Sequence, residues 1–331
     1  MTRYDDPGTT ELVAGSEPAT GLGPVAVILP GRDVPLGGLR AMTVTRSLPQ
    51  RDLPTVGAWC FLDRFGPQQT TMRVEPHPHI GLQTVTWPLT GEVRHRDSLG
   101  SDVVLEPGAL NLMTSGRGIA HSEYSLGDSA VDLDALQLWV ALPESARHGA
   151  ADFERHTSLP TVSLAATEGE DGSAVVVMGT FASEASPATT YTPIVGAQIT
   201  IAAGSRIAVP LEAAWEHALV VLDGKATVHD AGGDLATPQR GDLLYLGTGR
   251  SGVELASPDG ARVFLLGGEP FADDLVMWWN FVGRSHEEIV EAWDDWEGRA
   301  DRFGAVAGHG DVRIPAPPLP TVRLLPRRRA N

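Results

Sequence analysis

The feature that most constrains the fold of this chain is an internal repeat with an offset of 133 residues. A Leu-x-Gly segment, a single Gly and a Gly-Arg pair occur twice in the same order and at the same spacing: residues 89–91, 108 and 116–117, then residues 222–224, 241 and 249–250. Because glycine adopts the turn conformations that connect strands, the repeat predicts two copies of one β module of about 130 residues. Chance matching of common glycines is the alternative interpretation.

Turn-forming residues divide the rest of the chain into short runs. The 37 Gly and 25 Pro of the 331 residues separate segments rich in Val, Ile, Leu and Thr, such as residues 83–88, 134–142 and 174–178. This rhythm predicts an all-β protein built from sandwiches or barrels. The length suffices for two such domains, which we place at residues 26–155 and 156–284.

The two ends of the chain depart from this pattern. Residues 1–25 are polar and acidic, and we expect a flexible arm there; residues 305–331 are rich in Pro and Arg and predict an extended tail. A short C-terminal helix is predicted within residues 285–304, because Ser285 and Glu288 form a capping box. Apolar residues then recur at helical spacing, at Ile289, Ala292, Trp293 and Trp296.

The charge balance and the single cysteine exclude several classes of protein. With 42 acidic and 25 basic residues the formal net charge is −17, which argues against direct DNA binding but leaves a basic protein partner open. Cys60 has no second cysteine with which to form an internal disulfide or a Cys-rich zinc site. The chain shows no secretory signal and no apolar run long enough to span a membrane, so we expect a soluble, cytoplasmic protein.

The residues that carry chemistry are two pairs spaced by two positions. His77 and His79 form one pair, and His121 and Glu123 form the other. Residues i and i+2 of a strand share a face, so neighbouring strands can bring three imidazoles and one carboxylate to one point. That donor set suits a divalent transition metal: Fe(II) first, with Mn, Co, Ni and Cu as alternatives. An isolated His-x-His pair is more often a surface or core feature, but two pairs in one β module favour a metal site.

The remaining histidines receive a simpler interpretation. His95 lies between two arginines, and we expect it to be solvated or hydrogen-bonded. The others have no partner at ligand spacing: His148, His156, His217, His229, His286 and His309. Cys60, within an apolar run, is expected to be a buried thiol.

Several segments together resemble the pirin family, whose members carry two cupin barrels. The resemblance covers about residues 25–305 and rests on HPHIGLQTVTW, LTGEVRHRDSLG, LNLMTSGRGIAHSE, LQLWVALP and WWNFVGRSHEEIVEAWDDW. It implies two jelly-roll type cupin barrels packed face to face, with iron only in the N-terminal barrel. The family's metal ligands fall on His77, His79, His121 and Glu123, the residues that the spacing also selects.

The second copy of the repeat and the departures from the family pattern refine this expectation. Adding the offset to the four ligand positions gives Pro210, Glu212, Glu254 and Ala256, so the second barrel is expected to hold no metal. Where the general cupin pattern has a glutamate four residues after the second histidine, this chain has Gln83. We take Gln83, Trp87 and Met113 as candidates for a substrate pocket, with Leu82 and Leu112 as further lining residues.

Two classes of function remain open at this point. The resemblance implies a dioxygenase that opens a flavonol such as quercetin with O2 and releases carbon monoxide, with Glu123 as the catalytic base. As the alternative, it implies an iron-dependent, redox-sensing regulator that binds a protein partner, either as a transcription co-regulator or as a modulator of a metabolic enzyme. A metal-binding cupin with a different small-molecule substrate is the third interpretation, since this fold hosts many reactions.

Overall fold

The computed structural model describes residues 23–36 and 42–327. Most of the predicted N-terminal arm, residues 1–22, therefore lies outside the described residues. The first thirteen strands are β1 Pro24–Leu29, β2 Arg32–Leu36, β3 Met42–Leu48, β4 Trp59–Thr70, β5 Arg73–His79, β6 Leu82–Thr90, β7 Val93–Asp97, β8 Asp102–Leu105, β9 Leu110–Thr114, β10 Ile119–Ser125, β11 Val131–Ala141, β12 Asp152–His156 and β13 Thr161–Leu164.

The second half of the chain adds thirteen more strands, one α-helix and one 3₁₀ turn. They are β14 Ala166–Glu168, β15 Gly172–Phe181, β16 Glu184–Ala185, β17 Ile194–Ile201, β18 Ser205–Pro210, β19 Glu216–Gly224, β20 Thr227–Asp230, β21 Gly233–Ala236, β22 Leu243–Gly247, β23 Gly252–Ser257, β24 Ala261–Gly268, β25 Val276–Trp278, β26 Phe281–Gly283, the helix α1 His286–Glu297 and the turn Asp301–Phe303. No described helix is long and apolar enough to cross a membrane.

Two barrels arise because the same pair of sheets is built twice. In the first barrel, a seven-stranded sheet (β12-β9-β6-β11-β4-β3-β2) faces a four-stranded one (β5-β10-β7-β8). In the second, an eight-stranded sheet (β1-β22-β19-β24-β17-β15-β13, with β16 beside β15) faces a five-stranded one (β14-β18-β23-β20-β21). The predicted all-β fold of two tandem cupin barrels is confirmed.

The repeated glycines occupy equivalent turns in the two barrels. Gly91 at the end of β6 and Gly224 at the end of β19 have φ angles of 80° and 72°, a region that disfavours other residues. A Cβ on either glycine would also collide with a backbone carbonyl oxygen, that of Asp132 or that of Gly260. The sequence repeat therefore reflects a shared backbone requirement.

The two large sheets pack face to face through an apolar layer crossed by a few buried hydrogen bonds. The indole Nε1 of Trp59 donates to the carbonyl oxygens of Val195 (3.0 Å) and Gly267 (3.1 Å) in the second barrel. The backbone N–H of Gly57 likewise donates across the interface, to the carboxylate of Glu216 at 2.8 Å. These contacts join the barrels into one body around a common core.

One strand crosses the predicted boundary between the domains. β1 pairs with β22, so residues 26–29, predicted to begin the first barrel, extend the sheet of the second. The equivalent edge of the first barrel is occupied by β12, which pairs with β9. The second barrel is thus completed by a strand that precedes the first barrel in sequence, whereas β12 completes the first barrel from the end of that barrel's own predicted range.

The C-terminal helix packs on the outside of the first barrel. The Ser285 hydroxyl accepts a hydrogen bond from the Glu288 backbone N–H at 3.2 Å, as the capping box predicts, and the predicted short helix is confirmed. Its buried residues Ile289, Ala292 and Trp296 contact a cluster that includes Ile80 and Ala120 of the first barrel. The chain beyond the helix runs back over the same barrel, where the backbone N–H of Ile314 donates to the carbonyl of Pro76 at 2.8 Å.

Candidate metal centre

Strands β5 and β10 bring the predicted imidazoles together. His77 and His79 alternate with two prolines along β5, so both side chains enter the first barrel. β10 runs antiparallel to β5 and places His121 directly opposite His77. All three histidines are buried. One ring nitrogen from each histidine lies within 4.8 Å of those of the other two, and the Nε2 atoms of His79 and His121 are 3.1 Å apart.

This spacing fits a transition-metal ion. Two nitrogens bonded to one ion at about 2.1 Å and at right angles would be separated by roughly 3.0 Å. The Nδ1 atom of His77 lies 2.9 Å from the Glu75 carbonyl oxygen, and that of His79 lies 3.2 Å from the Asn280 carbonyl oxygen. With both Nδ1–H groups donating to these carbonyls, each Nε2 lone pair is free to bind an ion.

Burial favours the neutral, metal-binding form of these imidazoles. It lowers the pKa of His77 to about 4 and the pKa values of His79 and His121 well below the usual range. Neutral imidazole is the form that ligates a metal. A thiolate is not available, since the pKa of the buried Cys60 is raised to about 12 by desolvation. The donor set therefore suits Fe, Mn, Co, Ni or Cu.

Glu123 lies in a second cluster that shares His121. A bulge in β10 between His121 and Glu123 shifts the pairing with β5, and the carboxylate groups with His121 and His95. The Thr86 hydroxyl lies 3.1 Å from Oε1 of Glu123, and burial raises the pKa of this carboxyl group. The three predicted histidines thus form one tight cluster, while Glu123 reaches it from the side of His121.

His95, which the sequence analysis does not place in the candidate site, lies beside it. It is buried, its Nδ1 lies 3.4 Å from Nδ1 of His121, and its Nε2 lies 3.1 Å from a carboxylate oxygen of Asp97. The signal was the alternation along β7: Val93, His95 and Asp97 are buried, whereas the arginines between them are partly exposed. The two flanking arginines mark the outer face of a strand and place His95 on the inner one.

A cavity opens beside the histidine cluster within the first barrel. The space accessible to the centres of water molecules is about 60 Å³, enough for a few waters. Phe61 and Trp139, stacked with their ring centroids 4.0 Å apart, form part of its wall. Trp279 and Ile314 from the C-terminal part of the chain complete it. No local sequence pattern predicts these last two residues, because they come from segments far from β5 in sequence.

Two tryptophans on this wall carry unused hydrogen-bond donors. The buried Nε1 atoms of Trp139 and Trp279 find no hydrogen-bond partner among the described residues. Trp279 also has a φ of 54°, an uncommon conformation for a residue other than glycine. Leaving a buried donor unpaired costs about 1–3 kcal/mol, so an oxygen-bearing ligand would gain by meeting either group.

The predicted pocket residues Gln83 and Trp87 do not line the cavity. They occupy the face of β6 that points toward the second barrel, where Gln83 Nε2 donates to the Thr189 carbonyl (3.1 Å) and Trp87 Nε1 donates to Gln198 Oε1 (2.9 Å). Both faces of β6 are buried, so hydrophobic alternation could not tell them apart. Met113 is buried opposite Thr84 and Phe153, and it too is absent from the cavity wall, as are Leu82 and Leu112.

The equivalents of the ligand positions in the second barrel are shifted by one residue from the predicted ones. β18 pairs Val209 with Val253, just as β5 pairs His77 with His121. Val209 and Val253 lie on the buried faces of β18 and β23, and each follows its counterpart in the first barrel by 132 residues and not by 133. The equivalent positions are therefore Val209, Leu211, Val253 and Leu255, in place of Pro210, Glu212, Glu254 and Ala256.

The paired barrels and the buried imidazole cluster define a two-barrel cupin with a candidate metal site. The family model for pirin matches residues 41–140, and the model for the pirin C-terminal cupin domain matches residues 196–304. The chain belongs to the pirin family. The resemblance stated from the sequence is confirmed.

Similar proteins and solved structures include some that are named for quercetin dioxygenase activity. A Pseudomonas aeruginosa protein named "putative quercetin 2,3-dioxygenase" is 41% identical over 293 residues, covering 87% of this chain and 89% of that protein. The crystal structure of quercetin 2,3-dioxygenase from Acinetobacter baumannii superposes with a TM-score of 0.83 at 35% identity, covering 91% of this chain and 98% of that one. The bacterial pirin YhhW from Escherichia coli, in complex with nickel(II), shares the fold alone at 16% identity (TM-score 0.56, covering 74% of this chain and 100% of that chain).

Proposed function

We propose that this protein is a metal-dependent dioxygenase that opens a flavonol such as quercetin with O2. The observation that carries the proposal is the buried three-histidine cluster beside an aromatic-walled cavity with two unpaired indole N–H groups. The similarity to proteins named quercetin 2,3-dioxygenase supports the same substrate class.

The residues proposed to hold the ion are His77, His79 and His121, with Glu123 as the fourth ligand. Fe(II) is the first candidate, and Mn, Co, Ni and Cu are the alternatives. When bound, such an ion supplies Lewis acidity and a one-electron couple at open coordination positions.

The side chains around the cavity have separate roles in this proposal. Glu123 takes the proton of the flavonol hydroxyl at a carboxylate oxygen, and so acts as the base. Trp139 and Trp279 donate their indole N–H groups to oxygens of the substrate. The aromatic walls, including Phe61, exclude water from the reacting atoms. Both atoms of O2 enter the product, two ring C–C bonds break and one carbon leaves as CO, so the reaction balances without another cosubstrate.

The size of the cavity sets a condition on this reaction. Ligand sites usually enclose about 300–1,000 Å³, far more than the space beside the histidine cluster. A three-ring flavonol therefore requires the wall to move outward. Ile314 lies on that wall in a segment without regular secondary structure, held by hydrogen bonds such as that from Trp296 Nε1 to the Ile314 carbonyl (2.9 Å).

The same small cavity favours a second candidate function. An iron ion with room for only a few waters suits a redox sensor, in which the oxidation state changes a surface recognised by a protein partner. The net charge of −17 would suit a basic partner surface. For either function we propose a cytoplasmic location, which the single buried thiol fits.

Anaerobic reconstitution distinguishes the two candidates. Metal-free protein is loaded with Fe(II), Mn, Co or Ni, and its metal content is measured before O2 and quercetin are added. The dioxygenase proposal expects loss of the flavonol absorbance with stoichiometric CO, and no such loss in His121→Ala. His217→Ala, which removes a buried imidazole of the second barrel, is the matched control and should turn over normally. Full occupancy without turnover for every metal would reject the enzyme and favour the regulator.

A further inference from the structure

A chain of polar side chains continues behind His121, on the side away from His79. The Nδ1 of His121 lies 3.4 Å from Nδ1 of His95, and the Nε2 of His95 lies 3.1 Å from Oδ2 of Asp97. The other ring nitrogen of His121 is the one that faces His79. His121 thus connects the candidate metal cluster to a buried His–Asp pair.

The protein holds this pair in a defined orientation. β7 pairs with β10 so that His95 lies opposite Glu123 and Asp97 lies opposite His121. The ring of His95 stacks on Phe153 with centroids 4.6 Å apart and an interplanar angle of 18°. Stacking and strand pairing fix the plane of the His95 imidazole. The directions in which its two ring nitrogens can donate or accept a hydrogen bond are therefore also fixed.

Asp97 is anchored as an ionised acceptor. Its Oδ1 accepts hydrogen bonds from the backbone N–H groups of Leu99 (2.9 Å) and Ser101 (3.0 Å), which leaves Oδ2 for His95. Burial alone would raise the pKa of Asp97, but the hydrogen bonds from His95 and Ser101 outweigh it and lower the pKa. A carboxylate can only accept, so the hydrogen on this side of His95 must be on Nε2.

The direction of the hydrogen bond from His95 to Asp97 determines the tautomer of His121. With its Nε2–H donating to Asp97, His95 turns its Nδ1 lone pair toward His121, and that lone pair accepts the Nδ1–H of His121. His121 then carries no hydrogen on Nε2, the atom that faces His79. We propose that Asp97 and His95 are positioning residues that hold His121 in the tautomer able to bind the metal ion. This inference rests on the metal site proposed above and not on the flavonol reaction.

Asp97→Asn tests the relay with little change of shape. The asparagine keeps Oδ1 for the turn but presents an NH₂ group to His95. His95 must then accept at Nε2 and donate from Nδ1, which places the hydrogen of His121 on Nε2. We expect Ni(II) affinity, measured by chelator competition, to fall about 10–100-fold, the range typical of partners that orient a ligand. Asp102→Asn is the matched control, because Asp102 pairs with Arg94 on the outer face of the same hairpin.

A second pair of variants separates hydrogen bonding from packing at position 95. His95→Gln can still accept from His121 and donate to Asp97, so it should retain Ni(II) affinity to within a few-fold of wild type. His95→Phe keeps a ring to stack on Phe153 but offers no acceptor, and should weaken binding by about the same 10–100-fold as Asp97→Asn. Equal affinity of these two variants would overturn the inference.

The tautomer itself supplies a readout independent of activity. In metal-free protein with ¹⁵N-labelled histidine, the wild type should show His121 with its hydrogen on Nδ1, and Asp97→Asn should show it on Nε2. An unchanged tautomer together with unchanged Ni(II) affinity in Asp97→Asn would reject the positioning role. Failure of the wild type to bind Ni(II) or any of the other metals would instead reject the metal site, so the two failures are distinguishable.

Discussion

The two barrels share a strand plan but differ in what fills their interiors. In the first, His77, His79 and His121 meet beside a cavity. In the second, the equivalent positions hold aliphatic side chains within a continuous apolar core: Val209, Leu211, Val253 and Leu255. The barrel supplies two inward-facing pairs of positions in each case. The residue types at those positions, and not the fold, decide whether a metal site is possible.

The different interiors also give the two barrels different roles: the first provides the candidate metal site, and the second contributes to stability. Burying polar groups costs free energy unless they are hydrogen-bonded or bind a ligand, so the imidazole cluster of the first barrel carries a cost that the aliphatic side chains at the equivalent positions of the second do not. The apolar layer between the large sheets is shared by both barrels and includes Trp59, Trp87 and Phe264. The second barrel thus stabilises the first through this layer, while its own interior is filled.

The largest effect that tests this comparison is on metal content. We expect one metal ion per chain in wild type reconstituted with Fe(II) or Ni(II), measured by elemental analysis. His79→Ala removes a proposed ligand and should lower the metal affinity by more than the roughly 100-fold typical of residues that orient a ligand. His217→Ala should leave the content at one. Two ions per chain would show that the barrels differ less than their interiors indicate.

The next effect concerns the dependence of the first barrel on the second. The carboxylate of Glu216 is buried and accepts from the Gly57 backbone and from the Tyr245 hydroxyl, both at 2.8 Å. Glu216→Ala should lower the free energy of unfolding by about 2–5 kcal/mol, because buried donors would lose their acceptor. Urea unfolding measures the change, with the exposed Glu212→Ala as control. A loss as small as that of the control would mean that the interface contributes little.

A smaller effect is expected from the unpaired indole N–H groups of Trp139 and Trp279, two residues that line the cavity of the first barrel. Trp279→Phe keeps an aromatic wall but removes one donor, which should raise KM for quercetin about 2- to 10-fold, the usual worth of one hydrogen bond. Metal content should stay unchanged. Trp215→Phe in the second barrel serves as the control for both measurements. A KM equal to that of the control would remove the indole N–H of Trp279 from substrate binding.

The sequence was most informative where a local pattern and a structural requirement coincide. The repeated glycines, the two His/Glu pairs and the capping box at Ser285 each depend on a few neighbouring residues. The sequence did not predict which side chains line the cavity where both faces of a strand are buried, as for Gln83 and Trp87. Alternation of buried and exposed residues then does not indicate which face points toward the cavity. The sequence also did not predict Trp279 and Ile314, which reach the cavity only through tertiary packing.

The smallest expected effect is at Cys60, whose thiol lies in the first barrel yet outside the histidine cluster. Burial raises its pKa to about 12, and its Sγ lies 3.6 Å from the Trp139 carbonyl oxygen. Thiolate is the reactive form, so at pH 8 only roughly one thiol in 10⁴ would be ionised, and burial blocks access as well. Native protein should therefore leave a chromogenic disulfide reagent unreacted over hours, while protein unfolded in guanidinium reacts with one equivalent. Rapid reaction of the native protein would show that the first barrel opens readily, and an interior that opens would admit a flavonol at lower cost than its cavity size implies.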